Sequence, residues 1–134
     1  MGTFRRSRQK LVFLLEVSIL KVRQFYWKVP NFDKPIGKLT YDIDSNIYTI
    51  EVFDVDREYL PFYMTAIADF QNGYLTGDMA RSWVASRVEP PERPEISDIL
   101  KCAGLKSYSV FGLLVFHKGK ACYDKMYLEE IKED

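Results

Sequence analysis

The feature that most constrains this chain is a pair of alternating stretches flanking a short polar turn. Leu39, Tyr41 and Ile43 alternate with Lys38, Thr40 and Asp42, and Tyr48, Ile50 and Val52 alternate with Thr49 and Glu51. A period of two places each apolar set on one side of a pleated strand. Between them lie Asp44, Ser45 and Asn46, whose side chains bond their own backbone in turns. The pattern predicts a β-hairpin with a three-residue loop. Upstream, Phe25, Tyr26 and Trp27 precede Pro30 and read as a further short extended segment. Leu11 to Val22 fits two periods. Phe13, Leu15, Val17 and Ile19 alternate as in a strand, whereas Leu11, Leu14, Leu15, Ser18, Ile19 and Val22 share a helical face; the β-branched residues favour strand.

Beyond Asp56 the period changes to that of a helix. Leu60, Tyr63 or Met64, Ile67 and Phe70 recur every three or four residues, with Pro61 in the first turn and Gly73 past the end. Asp78 is placed to cap a second helix, in which Met79 and Trp83, and Ala80 and Val84, stack four apart. Pro90 and Pro91 end it. A third begins near Pro94 with Glu95 in its first turn, carries Ile96, Ile99, Leu100 and Ala103 on one stripe, and stops at Gly104–Leu105. A fourth runs from about Ser109, with Phe111, Leu114 and Val115 inward. His117 and Lys118 lie in its last turn, where positive charge suits the helix dipole, and Gly119 closes it. Residues 125–131 can return as a strand carrying Met126 and Leu128, or Tyr127 and Ile131. Strands first and helices second argue an α+β fold: a small antiparallel sheet in the N-terminal half, joined by at most one C-terminal strand and packed with about four helices.

At 134 residues the chain matches one domain, read as a basic flexible arm over residues 1–10 and a single α+β domain over 11–134. Nineteen Lys and Arg balance nineteen Asp and Glu, so no overall positive charge exists to drive counterion release from a polyanion. Nucleic acid is therefore a disfavoured partner, although Arg5, Arg6, Arg8 and Lys10 form a local cluster that could contact phosphate. No stretch has the roughly 20 apolar residues of a membrane span. Cys102 and Cys122 read as reduced, partly buried thiols of a cytoplasmic protein.

The machinery of an enzyme is missing from the pattern. His117 is the single histidine, and its position suits a helix end better than catalysis. No nucleotide loop, dinucleotide fingerprint, nucleophile elbow or zinc-protease helix occurs, and no cofactor or metal is implied. A thiol enzyme using Cys122, His117 and Asp124, close together across a turn, remains as a minor alternative.

Residues 83–96 carry the most information. Trp83 and Arg87 lie four apart on a helix, so the guanidinium can rest over the indole. Arg93 sits at a helix N-terminus, where an anion would be preferred, which points to a specific carboxylate partner; Asp124 is the candidate. Either both arginines pin this corner to the C-terminal segment, or Trp83, Arg87, Arg93 and Asp124 form a contact site for a partner's carboxylate or phosphate.

The spacing Trp83-x3-Arg87-x2-Pro90-x2-Arg93-x2-Ile96 follows a Leu60–Pro61 pair and precedes Gly119-x4-Asp124-x2-Tyr127-Leu128. Together these resemble the small N-terminal module of HipA-like proteins, the kinase toxins of bacterial toxin–antitoxin systems. The similarity is concentrated in residues 83–128. It implies a non-catalytic bacterial or phage-borne interaction module, of the kind encoded separately to restrain a kinase. No kinase residues have counterparts here. The expected partner is thus a protein, and the edges of the hairpin leave a strand-paired homodimer open.

Overall fold

The computed structural model describes residues 21–132; the basic cluster at Arg5, Arg6, Arg8 and Lys10 and the two-sided segment 11–20 lie outside them. Five strands form one antiparallel sheet: β1 (Val22–Lys28), β2 (Gly37–Asp42), β3 (Ile47–Val52), β4 (Tyr74–Thr76) and β5 (Tyr127–Glu130), in the order β4-β3-β2-β1-β5. Four helices complete the fold: α1 (Phe62–Phe70), α2 (Gly77–Ala85), α3 (Ile96–Cys102) and α4 (Val110–Phe116). The protein is α+β, but its strands are spread through the chain: β4 falls between α1 and α2, and β5 follows the last helix to pair with β1. A three-residue strand is too short to show alternation, which is why β4 does not announce itself in sequence.

The register explains the core. Phe25 faces Leu39, Leu39 faces Ile50 and Ile50 faces Leu75, so one row of buried apolar side chains crosses four strands. The adjacent row is Gln24, Thr40, Thr49 and Thr76, none of them buried. Alternation has therefore produced an apolar face and a polar face, as in an antiparallel sheet covered on one side. Helices cover the apolar face: α2 packs on β3 and β4 and also meets α4. Phe111 of α4 stacks on Tyr41 with centroids 4.1 Å apart and meets the edge of Phe25. Each large side chain buried this way contributes about 1.5–3 kcal/mol.

Local differences from the sequence pattern have physical causes. The hairpin loop holds four residues, Ile43–Asn46, because Asp42 pairs with Ile47 and its carboxylate accepts from the backbone N–H groups of Asp44 and Ser45. Asn46 adopts a left-handed φ of 57°, and Ile43 is consequently exposed rather than inward. Helix α1 turns Leu60's neighbours Met64 and Ile67 inward but leaves Phe70 in solvent. Asp78 does not cap α2. Thr76 occupies the N-cap position, and Asp78 lies in the first turn, paired with Arg81. Helix α3 ends as expected, with Gly104 at φ 74° and the N–H of Leu105 reaching the carbonyl of Leu100.

Helix α4 ends at Phe116 with His117 as its C-cap, so His117 and Lys118 lie past its last turn rather than in it. Lys118 is the first left-handed residue (φ 56°), and the Gly119 N–H then donates to Leu114 at 2.8 Å. Gly119 has its own reason to be glycine. Its φ is 73°, and a Cβ there would stand 2.5 Å from Leu128 Cγ on β5. Gly119→Ala combines a left-handed strain of roughly 1–2 kcal/mol with overpacking of about 1–3 kcal/mol. A loss of about 2–5 kcal/mol in urea unfolding is expected, and a loss under 1 kcal/mol would show that α4 and β5 do not meet this closely.

Candidate functional site

The corner singled out by sequence is built around a buried charge. Arg87 lies just after α2, and its side chain has 0% exposure. It donates from Nε and Nη2 to the carbonyl of Gly119 at 3.1 and 2.8 Å. It also donates from Nη1 and Nη2 to the two carboxylate oxygens of Asp124 at 2.8 and 3.0 Å. Asp124, whose side chain is 7% exposed, accepts in addition from the backbone N–H of Met126. The planar fork matches this bidentate arrangement as an ammonium could not.

Aromatic rings wall the guanidinium on several sides. Its carbon lies 5.1 Å from the ring of Trp27, 5.5 Å from Trp83 and 5.7 Å from Tyr123. Trp27 and Trp83 meet edge to face at 5.4 Å. The i,i+4 contact of Trp83 with Arg87 is thus present, deep in the protein rather than on its surface. Trp27 Nε1 is buried without a hydrogen-bond partner among the described residues, a cost of about 1–3 kcal/mol accepted by the floor of the cage.

Arg93 departs from expectation. Its carboxylate is Glu95, with Nε to Oε1 at 2.6 Å on the exposed surface, whereas Asp124 is taken by Arg87. Glu95 is two residues away and satisfies the arginine locally, so no long-range tether is needed. Of the four residues placed at this corner, Trp83, Arg87 and Asp124 come together and Arg93 stands apart.

The groups of the thiol alternative are engaged elsewhere. His117 Nε2 lies 2.9 and 3.0 Å from the carboxylate oxygens of Glu89. Asp124 is held by Arg87, and Cys122, like Cys102, is a free, exposed thiol rather than a partly buried one. Tyr108 Oη donates to the carbonyl of Glu89 at 2.7 Å, so Glu89 also ties the proline corner to the start and end of α4. Among the described residues no group of His, Cys, Asp and Glu is gathered as metal ligands, and no helix is long and apolar enough to cross a membrane.

Above the cage is a surface that sequence does not reveal. Tyr123 donates to the carbonyl of Ser86 at 2.8 Å, and its ring lies 5.0 Å from that of Tyr63 on α1. Tyr63 in turn meets Phe62 at 5.7 Å. Phe62 is 79% exposed and Phe70 80% exposed. Helical spacing puts Phe62, Ala66 and Phe70 on one side of α1, with Tyr63 between them and the buried Met64 and Ile67. The one charged residue of α1, Asp69, is paired with Arg57. Periodicity leaves Tyr63 and Met64 equivalent candidates for the core, and only the structure separates them.

No protein-family model, curated protein or solved structure matches the chain.

Two outcomes follow from the geometry. Arg87→Met leaves Asp124 buried without its cation and is expected to cost about 3–5 kcal/mol, as for other broken buried pairs. Arg87→Lys, which keeps the charge but loses the fork, should recover only part of this in urea unfolding. Equal stability of wild type and Arg87→Met would remove the cage from any structural role. The second concerns acid. Two hydrogen bonds from Arg23 hold the Glu130 carboxyl below its ordinary range, against the opposing effect of burial. Burial pushes Glu89 up, but hydrogen bonds from its own backbone N–H and from His117 outweigh it, leaving a net lowering. Because the folded values lie below the unfolded value of about 4.3, this stabilisation is complete above that pH and is lost as pH falls through the folded values. The urea midpoint should therefore decline below about pH 4.5, with a shallower decline in Glu130→Gln; identical acid limbs would contradict the assignment.

Proposed function

We propose that this protein is a non-catalytic protein-interaction module that docks a protein partner through the ledge of Phe62, Tyr63 and Tyr123, extended along α1 to Phe70. The observation carrying this reading is the exposure of a connected aromatic surface formed by α1 and Tyr123, beside the face that α1 turns to the core. Water is a poor neighbour for so much ring surface, and aromatic residues are the anchors on which interfaces concentrate their binding energy. The ledge is also rigid. Tyr123 is held by Ser86 from one side and by the Arg87 guanidinium from beneath, so little conformational entropy is lost on docking. Arg87 and Asp124 act in this scheme as supports of the ledge rather than as contacts, and Trp83 buttresses them. The resemblance over residues 83–128 supports a stand-alone HipA-like module of bacterial or phage origin, with a kinase-type protein as the partner class.

The test compares affinity capture by wild type, by the ledge variant Phe62→Ser/Tyr63→Ser and by the corner variant Arg93→Ala, each checked for native unfolding. A partner retained by wild type and Arg93→Ala but lost by the ledge variant is expected. Retention by all three overturns the ledge. Concentration-dependent self-association that the ledge variant abolishes would replace the foreign partner with a second copy, and captured nucleic acid would favour the basic N-terminal residues instead.

A further inference from the structure

A second surface lies beside β5, away from α1. A groove of about 1130 Å³ runs between this edge strand and the segment that leads from α4 to it. Pro30, Val115 and Tyr127 give it the apolar surface that solvent reaches, over buried Phe25, Met126 and Leu128. Around it stand Lys118, Lys120, Lys125 and Lys132, all exposed and none in an ion pair among the described residues. The three carboxylates that also line it are already spent. Asp124 is bound by Arg87, Glu130 by Arg23 and Glu129 by Lys28. Among the described residues, a chain with zero net charge thus presents a groove whose unpaired charge is positive. Lys125 and Lys132 are seven residues apart along extended backbone, a separation of about 20 Å. That spread suits negative charges distributed along a chain and does not suit a single phosphate.

We infer that this groove binds an extended acidic peptide segment of a partner protein, its carboxylates meeting the four lysines and its apolar side chains lying on Val115 and Tyr127. Backbone pairing plays a small part. The Leu128 N–H, which points away from β1, already donates to the Lys118 carbonyl at 2.7 Å, so the outer edge of β5 is partly closed by its own chain. Affinity accordingly comes from charge and from the apolar lining. The site shares no residue with the aromatic ledge, and α1 takes no part in it, although Tyr123 lies on the same segment between α4 and β5.

The probe is a fluorescein-labelled octapeptide alternating glutamate and valine, titrated against the full-length protein by anisotropy. Saturable binding is expected, weakening as salt is raised. Lys120→Glu/Lys125→Glu should reduce it at least tenfold, while Phe62→Ser/Tyr63→Ser leaves it unchanged, so failure here is distinguishable from failure of the ledge. Amide chemical shifts of the unaltered protein should move at residues 118–132 and not along α1, a reading that needs no variant. Equal binding of a lysine–valine peptide, equal competition by inorganic polyphosphate, or unmoved shifts at 118–132 would each overturn the inference. The last outcome includes the case in which the chain's own termini fill the groove.

Discussion

A cation with no solvent around it dictates how the helical layer of this protein is assembled. Taking a guanidinium out of water costs several kcal/mol unless every donor finds an acceptor and the opposite charge is close. Arg87 meets most of this demand, four of its five N–H groups donating to two later parts of the chain: the Gly119 carbonyl just past α4, and the Asp124 carboxylate ahead of β5. The end of α2, the end of α4 and the entry to β5 must therefore arrive together. The other constraints at this corner follow. Gly119 must be left-handed and without a side chain so that its carbonyl can face Arg87 while Leu128 packs behind it. Asp124 must keep one oxygen shared with the Met126 N–H, which sets the start of β5. The strand that results is the last in sequence and pairs with the first, closing the sheet order at β1.

The same interaction explains why the aromatic residues divide into two populations. Trp27 and Trp83 are drawn inward as walls of the cage and bury their faces against the guanidinium. Tyr123 forms the outer wall, with one face on Arg87 and the rest of the ring at the surface beside Tyr63. Internal electrostatics and the proposed docking surface are thus mechanically continuous. A change at Arg87 reaches the ledge without touching a partner, whereas a change at Phe62 reaches the partner without touching the cage.

How much of this could be read from the sequence depended on the range of each interaction. Elements defined by local periodicity were legible: the β2–β3 hairpin, the inward Ile67, the Gly104–Leu105 stop and a C-terminal strand within residues 125–131. Local satisfaction also misled. Arg93 looked electrostatically misplaced and so seemed to need a distant carboxylate, yet Glu95 two positions on suffices. Arg87 reads in sequence either as a pin to the C-terminal segment or as a contact for a partner, because nothing within a few positions shows that Trp27, sixty residues upstream, closes over it. The ledge was illegible for a related reason. Phe62, Tyr63, Phe70 and Tyr123 are hydrophobic, and hydrophobicity alone assigns them to a core; that α1 buries its Met64–Ile67 side instead is decided by what β3 and β4 offer it.

Charge shows the limit of whole-chain composition most clearly. A balance of nineteen against nineteen argues against polyanion binding only if the two signs are mixed in space. In the fold they are sorted by pairing. Arginines consume carboxylates in fixed, often bidentate geometry: Arg23 with Glu130, Arg57 with Asp69, Arg87 with Asp124. Lysines on flexible stems are left over, and four of them surround one groove. The guanidinium's planar fork competes better than the ammonium for a carboxylate held on a rigid element. A sheet edge whose acids, among the described residues, are all claimed by arginine or by Lys28 is consequently positive there, however neutral the chain. Selectivity for an acidic segment would then arise from the fold's own pairing hierarchy, with net charge contributing nothing to it.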